Sequence, residues 1–386
     1  MTQPWQAVVV GIALFATMAA YALFTGADFG GGIWDLLAGG TERGRRPRTA
    51  IDASVTPVWE GNQTWIVLGI VLVFTAFPTA FAAIMTSLFV PLSLALLGIL
   101  LRGIGFAFRH EADRVRTEQS AGALFAASSF LAPFFLGVTV GAVATGRVRT
   151  DRTGNVPDAW LNPSALMTGA LFVAACAYIG AVYLVGDSHR RGDEGMVRYF
   201  SKRALAAGVV TGVFAGINLV FLHNDAPYVF HRLVGAALPL LIVSIVAGAT
   251  ALGLVLIRRV WLLRITAGVA VGAVVAAWGW AQYPYLLPTS LSLREGSAPT
   301  ASLNAELVVL VMAAVFVVPS FVYLYWLQQH EKLVVTEESG DLVRAVAREN
   351  KTAARPKRPH RVLEAMVIGA AAWELLREAV ARMRRK

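Results

Sequence analysis

The chain has one cysteine, Cys176, among 386 residues. That excludes a disulfide framework, a cysteine-ligated zinc or iron–sulfur site and a CxxC redox pair, and it leaves the redox compartment open. Charge is scarce too: Asp, Glu, Lys and Arg make up 15% of the residues, against about a quarter in ordinary globular chains. There is no P-loop, no dinucleotide-binding glycine fingerprint ahead of a strand–helix unit, and no HExxH. Histidine is absent where a membrane haem would need it, because His110, His189, His223, His231, His330 and His360 all fall in or beside expected loops. Buried haem takes axial His, Met or Cys, so a two-histidine haem site inside this chain is not expected. No internal repeat is visible.

Apolar residues, by contrast, make up 56% of the chain, and the mean hydropathy is +0.61. A soluble core cannot hide that much, so the excess faces lipid. A helix needs about 20 mostly apolar residues to cross the hydrocarbon layer, because unpaired peptide groups there cost several kcal/mol each. Nine segments meet that criterion: 5–26, 58–78, 81–101, 121–144, 164–186, 204–222, 233–257, 264–283 and 303–327. The first reads as a retained span and not a signal peptide, since Met1 to Ala7 lacks a basic region and the apolar pattern runs on past any cleavage site. The fold expected is therefore all-α integral membrane with nine transmembrane helices.

The net charge of +10 invites a nucleic-acid reading, and the positions of the charges argue against it. Of the 34 Lys and Arg, 29 fall in alternate loops on one side of the nine spans and after Gln329, and 5 fall on the other. By the positive-inside rule the N-terminus is outside and the C-terminus cytoplasmic. Anionic headgroups then account for the charge, and no nucleic-acid partner is needed. The composition changes near residue 330, which separates a transmembrane domain (1–330) from a cytoplasmic basic tail (331–386). The tail contains a linker around Arg355–Pro359, and residues 361–385 read either as an amphipathic interfacial helix or as a solvated segment.

Ionisable groups at bilayer depth face a bundle interior, a wet cavity or a partner. Asp28 lies in Gly26-Ala27-Asp28-Phe29-Gly30-Gly31-Gly32-Ile33-Trp34-Asp35, where four glycines permit close backbone approach or local unwinding. It is either a functional acid or a helix-end charge at the headgroups. Glu60 lies in Pro57-Val58-Trp59-Glu60-Gly61-Asn62-Gln63-Thr64-Trp65. It either complements a helix N-terminus or, flanked by Trp59 and Asn62, is a desolvated carboxyl that holds or passes a proton. Arg102 closes the third expected span on the same side as both acids. It either pairs with one of them or snorkels to the headgroups. Gln282 before Tyr283-Pro284-Tyr285 is more specific than an aromatic belt requires.

These stretches resemble subunit II of the cytochrome bd family of quinol oxidases. The resemblance covers residues 1 to about 330 and rests on Gly26–Gly32 before Trp34, on Val58–Trp65 and on Leu101–Arg109, with support from Gln282–Pro288. It implies two four-helix bundles plus a peripheral helix in a bacterial cytoplasmic membrane. It also implies a heterodimer with a haem-bearing subunit I that holds the quinol site, two b haems and haem d or a b-type substitute. A small accessory subunit and membrane lipid are further partners it allows. In this family subunit II ligates no haem; it scaffolds its partner and carries carboxylates for proton uptake from the cytoplasm. Asp28 matches the second aspartate of the family's DGFD-like motif, Glu60 the acid of W-[DE]-G-N, and Arg102 the arginine of the third span, with Trp59 and Asn62 in support. Two positions depart from the pattern: Thr25 stands where an aspartate is usual and Ala107 where an acid is common. Other classes also accommodate these features. A proton-coupled secondary transporter uses sparse acids and glycine-broken helices, and a membrane scaffold needs no chemistry at all.

Overall fold

The computed structural model describes residues 4–329 except 40, 56–58, 112–114, 152–153 and 258. The chain divides into two units, 1–325 and 326–386. Of the second, only 326–329 are described, so the expected basic linker and interfacial helix lie outside the described residues. The helices are α1 (Trp5–Leu36), α2 (Thr41–Val55), α3 (Trp59–Ala76), α4 (Pro78–Ser87), α5 (Phe89–Glu111), α6 (Val115–Ala144), α7 (Pro157–Trp160), α8 (Pro163–Arg190), α9 (Glu194–Asp225), α10 (Pro227–Val234), α11 (Leu238–Leu256) and α12 (Leu263–Gln282). A short antiparallel hairpin, β1 (Tyr285–Leu287) and β2 (Leu291–Ser292), precedes α13 (Thr300–Met312), one π turn (Ala313–Val317) and α14 (Val318–Gln329).

Seven helices among the described residues are long and apolar enough to cross a membrane, and eight if the bent pair α3–α4 counts as one span. α5 adds the shorter apolar stretch Phe89–Gly105. Each of the nine expected segments overlaps a described helix, but several boundaries need correction. The first was expected to end at residue 26, whereas α1 runs unbroken through the glycines for 32 residues, about 48 Å. The expected span 81–101 is split at Leu88 into α4 and α5, and α3 and α4 meet at 117°. Pro78 causes that bend, because a proline has no amide hydrogen to continue the helix and disfavours helical geometry at the residue before it; Phe77 leaves the helical region accordingly, at φ −135° and ψ 58°. The segment expected at 204–222 is a helix that starts ten residues earlier, at Glu194. There the Asp193 carboxylate accepts from the Met196 amide at 3.0 Å, satisfying one of the open donors of the first turn. Asn162 does the same for α8, accepting from the Ala165 amide at 2.9 Å, with Pro163 in the first turn.

α8 is the central helix. It packs against α1, α6, α9 and α12, while α1 also neighbours α3, α6, α12 and α13, and α11 pairs with α12. One apolar core joins Phe29, Ile33 and Trp34 of α1 to Ile179, Val182 and Val185 of α8 and to Phe200 of α9. A second gathers the N-terminal half of α1 with α3, α4 and the hairpin residues Leu286, Leu287 and Leu291. α1 thus runs from one core to the other.

Candidate functional site

The glycines of α1 bring two helices into backbone contact. A Cβ on Gly30 would lie 2.0 Å from the Cys176 carbonyl oxygen and 2.8 Å from the Cα of Gly180, so only a bare backbone fits where α1 crosses α8. Trp34 fastens the same crossing, its indole N–H donating to the Ala177 carbonyl at 2.7 Å. Of the two options that glycine-rich sequences offer, close approach and unwinding, this chain takes the first.

Asp28 sits in that helix, eight residues before its end, and is 4% exposed; Arg102, on α5, is 2% exposed. The Arg102 guanidinium donates from Nη2 to Asp28 Oδ1 at 2.6 Å and from Nε to Oδ2 at 3.2 Å. It also donates to the Asp28 carbonyl at 2.7 Å and, from Nη1, to Ser129 Oγ of α6 at 2.7 Å, and it lies 5.0 Å from the centroid of the Phe29 ring. Gly32 makes room for this, because a Cβ there would lie 1.9 Å from Ser129 Oγ and 3.0 Å from Arg102 Nη1. Both carboxylate oxygens and four guanidinium contacts are engaged, the condition under which a desolvated ion pair can persist. Arg102, near the end of the apolar stretch Phe89–Gly105, therefore turns into the bundle and pairs with Asp28 and does not snorkel.

Two turns beyond Asp28, Asp35 is also 4% exposed and pairs with Arg48 of α2 at 3.2 Å. α2 is tethered further by Arg46 to Asp193 at 2.8 Å and by Arg191 to Ser54 Oγ at 3.2 Å. Asp193 is held below the ordinary carboxylate range, first by the Met196 amide and then by Arg46. At the other end of the molecule Gln282 is structural: its Nε2 donates to the Leu286 carbonyl at 2.6 Å and fixes the turn into the hairpin.

The sequence-derived residues thus fall into two sets. Asp28 and Arg102 meet directly. Trp59, Glu60 and Asn62 open α3, and their side chains, like that of Ala107, lie outside the described residues. Thr25, the position lacking the usual acid, is buried on the same face of α1 as Asp28. Three charged groups escaped the sequence reading. Glu306 of α13 is 9% exposed and accepts from Thr75 Oγ1 of α3 at 2.9 Å; a lone carboxylate in an apolar run was the available signal. Asp187 of α8 accepts from Arg264 of α12 at 2.6 Å and from Arg190. Asp35 stood in the quoted motif without a role.

His189, His223 and His231 lie in the last turns of their helices. Cys176 Sγ would be 3.7 Å from a Cβ on Gly26, packed into the α1–α8 crossing. No group of three or more His, Cys, Asp or Glu among the described residues is arranged to hold a metal ion. No haem-borne step is assigned to this chain.

The sequence model of the family described as cytochrome bd terminal oxidase subunit II matches residues 6–328. The chain belongs to that family. Among its relatives is cytochrome bd-I ubiquinol oxidase subunit 2 of Escherichia coli K12, 29% identical over 185 residues. That alignment takes in 45% of this chain and 48% of the relative, so the match spans about half the relative's length. A Bacillus subtilis protein described as subunit II of a cytochrome bd menaquinol oxidase is 22% identical over 332 residues, 82% of this chain and 94% of its own. The fold is that of a chain in the bd oxidase structure from Geobacillus thermodenitrificans, with a TM-score of 0.69 at 19% identity, covering 86% of this chain and 100% of that one. Within the cytochrome bd subunit II family, this chain carries the Asp28–Arg102 pair and lacks acids at 25 and 107.

Proposed function

We propose that the chain is the non-haem subunit of a membrane quinol:oxygen oxidoreductase of the cytochrome bd type. On this reading it has nine spans, α5 supplying the third, grouped as two four-helix bundles with the α13–α14 helix at the periphery. The N-terminus is outside and the C-terminus inside a bacterial cytoplasmic membrane. Its partner is a subunit I that carries haem b, haem d or a b-type variant, and the quinol site. One relative is a ubiquinol oxidase subunit and the other a menaquinol oxidase subunit, so the substrate is a quinol as a class.

The observation that carries this reading is a family match over residues 6–328, in a chain whose buried Asp28, Asp35 and Arg102 lie toward the Arg-rich loops while Glu306 lies at the opposite end. Reducing oxygen consumes protons, and a low-dielectric layer stops them unless polar groups and water form a path. Drawing them from inside while quinol releases its own outside separates charge, worth about 2.3 kcal/mol per charge per 100 mV. In this scheme Glu60, supported by Trp59 and Asn62, takes the proton at the inner mouth. Asp28, held by Arg102, is the fixed anion at depth that keeps a protonated water or acid nearby favourable. Because both its oxygens accept from Arg102, Asp28 itself takes a proton only as the pair loosens.

In the purified complex, Glu60→Gln is expected to slow oxygen consumption by about tenfold or more with haem content unchanged. Wild-type turnover would remove Glu60 from the route. A proton-coupled transporter would instead show substrate uptake by this chain alone.

A further inference from the structure

α1 carries a second acid, and the geometry of the helix gives it a place in the route just described. At 100° per residue, Thr17, Tyr21, Thr25, Asp28 and Asp35 lie within an arc of about 80° on one face. All five are buried, between 1% and 5% exposed. From Thr17 to Asp35 the file rises about 27 Å, close to the whole hydrocarbon thickness of about 30 Å. Chance does not favour five buried polar side chains in register on a helix that is otherwise apolar.

The one wide interval, about 10.5 Å between Asp28 and Asp35, is not apolar. Gly32 falls within it on the same face, and the space its missing side chain leaves holds Ser129 Oγ and Arg102 Nη1. Polar atoms therefore recur at about one-turn intervals from Asp35 past Arg102 to Asp28, a step that one bridging water spans. Beyond Asp28 the Tyr21 hydroxyl is buried with no hydrogen-bond partner, within electrostatic reach of Asp28, Arg102 and Cys176. A buried hydroxyl left without a partner costs about 1–3 kcal/mol, so it marks a position where water completes the file.

We propose that Asp35 of α1 is a second intake carboxylate of this route, beside the one Glu60 supplies from α3. It lies at the end of α1 that this topology puts inside, beside Arg48 of α2, whose side chain is 28% exposed. It accepts a proton from that side as Arg48 swings away and passes it toward Asp28 beside Gly32, where Ser129 Oγ and Arg102 Nη1 occupy the space; no electron moves. Arg203 of α9, 5.8 Å from the Trp34 ring, is a further cation beside this end of α1. The acid supplies on α1 the carboxyl that Thr25 and Ala107 do not. Asp35 acts through Asp28 and is a positioning residue, and the inference rests on the proton-uptake reading above.

The test uses the purified, haem-loaded complex. Asp35→Asn is expected to slow oxygen consumption by about tenfold with an unchanged haem spectrum, to raise the solvent deuterium isotope effect on turnover, and to be rescued by Asp35→Glu. A purely structural Asp35, serving only to hold α2 through Arg48, gives slower turnover without a larger isotope effect, and that result overturns the proposal. Asp35→Ser replaces Asn should the Asn variant fail to assemble. The charge-free double variant Asp28→Leu/Arg102→Met is measured alongside. If the double variant is slow and Asp35→Asn turns over like wild type, only the intake role falls; if both turn over like wild type, the proton-uptake reading falls with it.

Discussion

The central helix α8 and the helix running over Thr300–Leu324 are both apolar enough to cross a membrane, yet they live in different surroundings. In its most apolar eighteen-residue stretch, 56% of α8 is buried within this chain; in that of Thr300–Leu324, none is. α8 spends its surface on small residues, with Gly180 against Gly30 and Ala177 beneath Trp34. The peripheral helix presents Val308, Val311, Val315, Phe316 and Val322 outward, each more than half exposed. Hydropathy is blind to this difference because lipid and protein interior are equally apolar solvents. What separates the two helices is side-chain size and where the buried charges lie. Next to α8 are Asp28, Arg102 and Ser129; the peripheral helix has only Glu306, turned back toward α3.

Substitutions that probe this contrast rank by how much buried structure each disturbs. The largest effect is expected from Arg102→Met alone, which leaves the Asp28 carboxylate buried without its guanidinium. Breaking a buried pair on one side costs about 3–5 kcal/mol, so the yield and Tm of the purified complex should fall sharply. Removing both charges, as Asp28→Leu/Arg102→Met, should restore most of that loss. Next comes Gly30→Leu, whose side chain must enter where a single Cβ already lies 2.0 Å from the Cys176 carbonyl oxygen. Overpacking costs about 1–3 kcal/mol, and a thermal melt should show it, with Gly30→Ala milder than Leu. Phe316→Ala, at a residue 65% exposed on the peripheral helix, should change the Tm of the chain in detergent by an amount within about 0.5 kcal/mol; a loss as large as that of Gly30→Leu would erase the contrast.

The smallest effect concerns pH. The folded value of Asp193 is depressed by the Met196 amide and Arg46. Its contribution to stability is therefore present above the unfolded carboxylate value and is lost as pH falls through the depressed one. Melting wild type and Asp193→Ala across acidic pH should show a difference that closes as the medium becomes more acidic.

The helices were legible because long apolar runs are local signals. Boundaries were not. The apolar count stops at charges, so the expected first span ended before Asp28, whereas the helix continues because Asp28 and Arg102 neutralise each other across 74 residues of sequence. The same long-range pairing explains why Arg102 read as the end of a span and lies within α5. The bend at Pro78 was marked in the sequence, but its consequence, a short α4 ahead of α5, depends on where the chain re-enters the bundle. Of the site, Asp28 and Arg102 were found from motif and depth. Asp35 and Ser129 were missed because their roles appear only when the faces of α1, α2, α5 and α6 are brought together.

The central claim is that a charge pair buried deep between α1 and α5 governs delivery of protons to a redox centre outside this chain. The most direct measurement is oxygen consumption by the purified complex carrying Asp28→Leu/Arg102→Met, normalised to haem. The account predicts a normal haem spectrum with turnover reduced by about tenfold or more; an assembled complex with full haem and wild-type turnover would contradict it.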